Sequence, residues 1–194
     1  MACAVSSQQF ETLLDNLIQE LLKALFGKVN GCNWYIRERE VINLFTFRHL
    51  VPRFQKHGLD LTMLGIEVPV LQVGEKRWGA CKDLVVWREG NSTPFRGCDP
   101  SVSRLMDLRE SGCKPFAVME WKHVSRFTKY PTKVLAEHAN GITSWLKENL
   151  RGCMLSVGYA ILIDHSNQLT LRCRRLTANS EDDCWLALPT NVGS

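Results

Sequence analysis

Pro115-Phe-Ala-Val-Met-Glu-Trp-Lys-His-Val124 is the stretch on which the reading of this chain turns. Apolar, β-branched and aromatic residues run through it, Gly112 and Pro115 precede it, and a basic Ser/Thr/Pro loop follows, so it reads as a short buried strand. Side chains alternate faces along a strand, which sends Val118, Glu120 and Lys122 to one side and Met119, Trp121 and His123 to the other. Glu120 and Lys122 are therefore neighbours by geometry. Charges in an interior strand carry a desolvation cost unless partners, a metal ion or water meet them. Two readings follow: a structural ion pair on an exposed strand face, or half of a metal site.

Upstream, Ile66, Val68, Val70, Leu71 and Val73 suggest a strand, Gly74-Glu-Lys-Arg77 a turn, and Ala80 to Trp87 a second strand antiparallel to the first. Asp83 lies inside that second strand, where aspartate is depleted because it competes for backbone groups and is costly to bury. It is either a strand-entry residue capped by local hydrogen bonds or a functional carboxylate. Glu89 to Lys114, rich in Gly, Pro, Ser and Asn, reads as a long loop with a helical turn or two over Ser103 to Glu110.

Further back, a helix is expected from about Trp34 to Lys56, ending at Gly58, with Pro52 kinking it or stopping it early. It opens on Arg37-Glu38-Arg39-Glu40, which is a solvated charged face or the source of a third carboxylate. An amino-terminal helix begins at Ser6 or Ser7, carries apolar residues from Phe10 to Leu25 at spacings of three and four, and is expected to stop at Gly27. That segment is a packing helix or a surface for a homodimer or protein partner.

Downstream, Ser125-Arg-Phe-Thr-Lys-Tyr-Pro-Thr-Lys133 interleaves Arg126, Lys129 and Lys133 with Phe127 and Tyr130. It is a basic turn or a surface for phosphates and bases. Lys133 to Leu150 has helical periodicity, weakened at Gly141. Cys153 to Ile163 is a strongly apolar strand and Leu169 to Arg174 a shorter, more polar one. The segment Thr177 to Ser194 yields no element from its pattern. His123 is expected in the core or just behind the site, and His138 on the following helix is a candidate to face the cleft.

The order helix, strand, strand, strand, helix, strand, with Asp83 in the second strand and Glu120-Trp-Lys122 in the third, resembles the PD-(D/E)XK nuclease superfamily, the restriction-endonuclease-like fold. The resemblance covers roughly Trp34 to Asp164. It implies an α/β protein with an αβββαβ core, a mixed sheet flanked by helices and an extra amino-terminal helix. It further implies Mg²⁺, with Mn²⁺ as a substitute, held by Asp83, Glu120 and the backbone carbonyl of Trp121. Lys122 would act on the attacking water or on transition-state charge. Glu38-Arg39-Glu40-Val41 is similar to the helix start of Holliday-junction-resolvase-like members, which implies Glu38, or alternatively Glu40, as the helix carboxylate. DNA is the implied substrate, with Arg126, Lys129, Lys133 and Tyr130 as its contacts. Lys82 departs from the family pattern, which has Pro before this Asp.

Composition sets the outer bounds. The chain has 194 residues, 45% hydrophobic and 23% charged, which fits one globular unit: a helical extension over 1–30, a core over 34–175 and a tail over 176–194. Twenty-four Lys and Arg against 20 Asp and Glu give +4, an excess that permits an anionic partner without demanding one. The start of the chain lacks an export pattern and no apolar run is long enough to span a bilayer, so a cytoplasmic, membrane-free protein is expected. The eight cysteines form no Cys-x-x-Cys pair, which favours reduced thiols over a zinc cage.

Overall fold

The structure is a computed structural model of the chain and describes residues 6–30, 37–59, 63–69, 81–87, 116–125, 130–149, 157–165, 168–179 and 181–189. The expected turn at 74–77, the loop over 89–114, Phe127, Arg126 and Lys129 lie outside the described residues.

The protein is a mixed α/β structure built on a six-stranded sheet: β1 (Leu64–Pro69), β2 (Cys81–Val86), β3 (Ala117–Ser125), β4 (Val157–His165), β5 (Thr170–Leu176) and β6 (Glu181–Leu188). The strands lie side by side in chain order. All neighbours are antiparallel except β3 and β4, which run parallel in a nine-residue ladder from Ala117↔Val157 to Ser125↔His165. A parallel pair needs a crossover, and α4 (Pro131–Asn149) supplies it. β4 is buried from Val157 to Ile163, as expected for a strand covered on both faces.

α1 (Ser7–Val29) starts at a capping box in which Ser6 Oγ accepts the Gln9 N–H and the Gln9 side chain accepts the Ser6 N–H. It does not stop at Gly27. An interior glycine costs about 1 kcal/mol, and the burial of Leu25 and Val29 on either side outweighs that. Eight residues of α1 are buried and belong to the main core, where Phe10 meets Phe116 edge to face at 4.8 Å. Its apolar side is thus covered by the chain itself.

The second helical region is continuous in three parts: α2 (Glu38–Asn43), a π-helical segment (Leu44–Leu50) and α3 (Val51–Lys56). Pro52 does not end it. Proline cannot donate to the carbonyl four residues back, and the chain enters Pro52 from a widened turn in which Val51 N–H donates to Thr46 O. Pro52 then occupies the first turn of α3, where its missing donor is harmless. α4 likewise runs through Gly141, because Leu135, Ala139, Ile142 and Leu146 are buried on the sheet.

Two apolar clusters line the two faces of the sheet. One joins α1, α2 and the π segment to Leu84, Met119, Trp121, Tyr159, Ile161 and Ile163; the other joins α4 to Val85, Val118, Val124, Ala160 and Leu162. β6 is an edge strand whose pattern was obscured by Glu181-Asp-Asp183. Its Leu186 is buried, Trp185 packs on Tyr159 at 5.3 Å, and Leu188 lies on the core. Among the described residues no helix is long and apolar enough to cross a membrane.

Candidate functional site

The face on which α4 packs carries the charges singled out in the sequence. Val85 and Val118 are opposed on β2 and β3 and both pack toward α4. Two residues on in each strand, alternation returns Asp83 and Glu120 to that same face, with Lys122 beyond. The β2–β3 ladder ends at the Leu84↔Met119 pair, and beyond it Glu120 lies close enough for its charge to act on the Asp83 carboxyl.

Here side chains meet the edge of β3. Trp121 donates its backbone N–H to Asp83 Oδ2 at 2.7 Å, and His123 donates its own to Glu38 Oε2 at 3.0 Å. Backbone N–H groups two residues apart point to one edge of a strand. Two carboxylates, one from β2 and one from the first turn of α2, therefore satisfy donors that a neighbouring strand would otherwise take. The Trp121 indole is anchored behind the sheet, 5.0 Å from Phe45 of the π segment.

Glu38 also binds the Lys122 ammonium, at 3.0 and 3.2 Å to its two oxygens. This separates Glu38 from Glu40. Glu40 turns back to accept the Arg37 N–H at 3.0 Å and so caps its own helix, leaving Glu38 as the carboxylate that reaches β3.

The expected pairing of Glu120 with Lys122 gives way to two other bonds. Lys122 goes to Glu38, while Glu120, 8% exposed, takes the ammonium of Lys82 at 2.5 Å. Residues i and i+2 share a strand face but their side chains run parallel, so each charge is better met by a group approaching from another element. Lys82 was read in the sequence only as a departure from a motif. A buried carboxylate requires a counter-ion, and that requirement was the signal for one close by.

His138 faces these charges from α4. Burial lowers its pKa, Lys122 adds to this, and Glu38 and Asp83 oppose it, so the imidazole is neutral near pH 7. Burial pushes the Asp83 carboxyl up to about 6, against the Trp121 N–H that holds it down; Glu120 and Glu38 raise it further and Lys122 opposes them. His123 lies at the rear, as expected, its ring 4.9 Å from that of His165.

Three carboxylates, Glu38, Asp83 and Glu120, thus face two ammonium groups, Lys82 and Lys122. Their oxygens are the hard donors that Mg²⁺ and Mn²⁺ take, and the surplus negative charge suits a cation. In kind and charge the donor set fits a divalent ion. In position, among the described residues no three of His, Cys, Asp and Glu are arranged to hold an ion as they stand, since each carboxylate is engaged by a protein donor.

Of the residues expected to touch nucleic acid, Tyr130 is 68% exposed just ahead of α4. Lys133 is exposed in its first turn, 3.9 Å from Glu137 on the same helix. Arg126 and Lys129 are outside the described residues. Compared with family models, with curated proteins and with solved structures, the chain has no match.

Proposed function

We propose that the chain is a metal-dependent nuclease that hydrolyses phosphodiester bonds in DNA, in the cytoplasm, through a PD-(D/E)XK-type site on a restriction-endonuclease-like core. One observation carries the reading: the Asp83 carboxylate, bound by the Trp121 N–H, lies within electrostatic reach of Glu120 and of Lys122, which Glu38 holds. The element order supports it, since three antiparallel strands, a crossover helix and a parallel fourth strand follow the helix that supplies Glu38.

Asp83, Glu120 and the Trp121 carbonyl would hold the divalent ion, which when bound supplies positive charge and Lewis acidity at a phosphoryl oxygen. The chain's own groups do the rest. The Trp121 N–H orients the Asp83 carboxylate. Glu38 fixes the Lys122 ammonium, so that its charge is already in place to offset negative charge building on the phosphate. Lys133 and Tyr130, exposed at the start of α4, would meet the DNA backbone and a base.

One observation favours a second reading, a non-catalytic nucleic-acid-binding or assembly module on the same fold: the Glu120 carboxylate is already neutralised by Lys82. Incubating wild type and Lys122→Ala with plasmid, branched and single-stranded DNA in Mg²⁺ or Mn²⁺ separates them. Cleavage by wild type that falls at least a hundredfold in the variant supports the nuclease. Salt-sensitive binding without turnover in either protein supports the module.

A further inference from the structure

The Lys82–Glu120 contact joins two charges that both lie largely out of water, with side chains 12% and 11% exposed. A lysine kept there is expensive to desolvate, and the same helix-facing side of the sheet already carries Lys122 as a cation. The apolar part of the α4 face, Val85, Val118 and Ala160, does not call for a second ammonium; only the carboxylates do, and one of them is buried. What calls for it is Glu120. The carboxylate is 8% exposed on a central strand, and without a cation it would be an uncompensated buried charge beside Asp83.

A divalent ion would satisfy the same need. An ion and an ammonium both draw on the oxygens of one carboxylate, and two cations at ion-pair distance from it repel each other strongly where water is scarce. We infer that Lys82 is a built-in competitor for the divalent cation: its ammonium holds Glu120 in the metal-free protein and must be displaced from it when the ion binds. The inference rests on the proposed metal site and adds to it a reason for weak, exchangeable binding. Lys82 is a positioning residue here, acting through Glu120.

Calorimetric titration of Mn²⁺ into the metal-free full chain tests this without any reference to cleavage. Lys82→Met should bind Mn²⁺ at least tenfold more tightly than wild type, and its thermal midpoint should rise more on adding the ion. Lys82→Arg, which keeps the charge, should stay near wild type. Equal and measurable Mn²⁺ affinity in wild type and Lys82→Met would overturn the competition while leaving the metal site standing. Absence of binding in both, with Asp83→Asn indistinguishable from them, would overturn the metal site as well.

A second measurement uses the unmodified protein, in case Lys82→Met does not fold. The side-chain Nζ resonance of Lys82, followed by NMR during a Mg²⁺ titration, should shift in step with ion binding as the bond to Glu120 opens. A Lys82 resonance that stays still while the ion saturates the site would overturn the competition.

Discussion

Trp121 donates its backbone N–H to the carboxylate of Asp83 at 2.7 Å, joining two strands at positions 38 residues apart in the chain. His123, two residues on, donates to Glu38 in the same manner. The β3 edge is thus finished by acidic side chains, and this is what gathers negative charge at one place on the sheet.

Asp83→Asn should make the metal-free protein more stable at neutral pH while abolishing metal-dependent cleavage. The folded-state pKa of about 6 lies above the ordinary 3.8, so ionising Asp83 disfavours the folded state. That penalty is present in full above about pH 6 and fades as pH falls from there to 3.8. Thermal melts at pH 7.5 should therefore place the variant above wild type by about 2–4 °C, and melts near pH 4 should bring the two together. A gap that is unchanged between the two pH values would show that charge is not its cause.

Arg175 binds Asp15 at 2.8 and 3.0 Å and also pairs with Glu11, while Tyr159 donates to Asp15 at 2.7 Å, so one cluster rivets α1 to β4 and β5. Removing Arg175 as Met leaves two partly buried carboxylates without their cation and should cost about 3 kcal/mol in urea unfolding. Tyr159→Phe removes one bond to a charged acceptor and should cost about 1.5–3 kcal/mol. Burial raises the Tyr159 hydroxyl pKa well above its ordinary value, with Asp15 adding to the rise, so it remains a donor throughout the neutral range. If the proposed nuclease activity is present, the folded fraction of both variants should keep it unaltered, because the cluster lies behind the sheet.

Gly158→Ala should destabilise the fold by about 1–3 kcal/mol, since a Cβ at that position would run into the Ile142 side chain of α4. The double variant with Ile142→Ala should recover part of the loss in chemical denaturation. Additive losses would mean that the two side chains do not share the space.

Lys133→Glu and Tyr130→Ala should leave the thermal midpoint within about a degree of wild type, because both side chains are exposed and an exposed ion pair such as Lys133–Glu137 contributes little. Both should weaken DNA binding. The charge reversal should in addition flatten the dependence of log Kd on log salt, measured by fluorescence anisotropy between 50 and 200 mM salt. An unchanged salt slope would remove Lys133 from the DNA-facing surface.

β1 to β5, and the shared face of Glu120 and Lys122, were legible in the sequence, because side-chain alternation along a strand and the antiparallel order of β1 and β2 are local properties. The partners were not. Lys122 and Glu38 meet across 84 positions, and Lys82 reaches Glu120 from a neighbouring strand, neither of which periodicity encodes. The same holds behind the sheet, where Asp15 of α1 and Arg175 of β5 meet across 160 positions. β6 was hidden for a different reason: it is an edge strand with an acidic start, and its apolar half is too short to announce a period. The passage of the second helix through Pro52 was also unreadable, since a single widened turn leaves no mark on the spacing of apolar residues.

Gly158 ties the elevation of one helix to a missing methyl group. α4 carries His138 over the charged strands, so whatever fills position 158 lifts or lowers that imidazole against them. Relatives of this chain should exchange bulk between positions 158 and 142 as a pair, and the height of that helix over the sheet should drift only as fast as the two can change together.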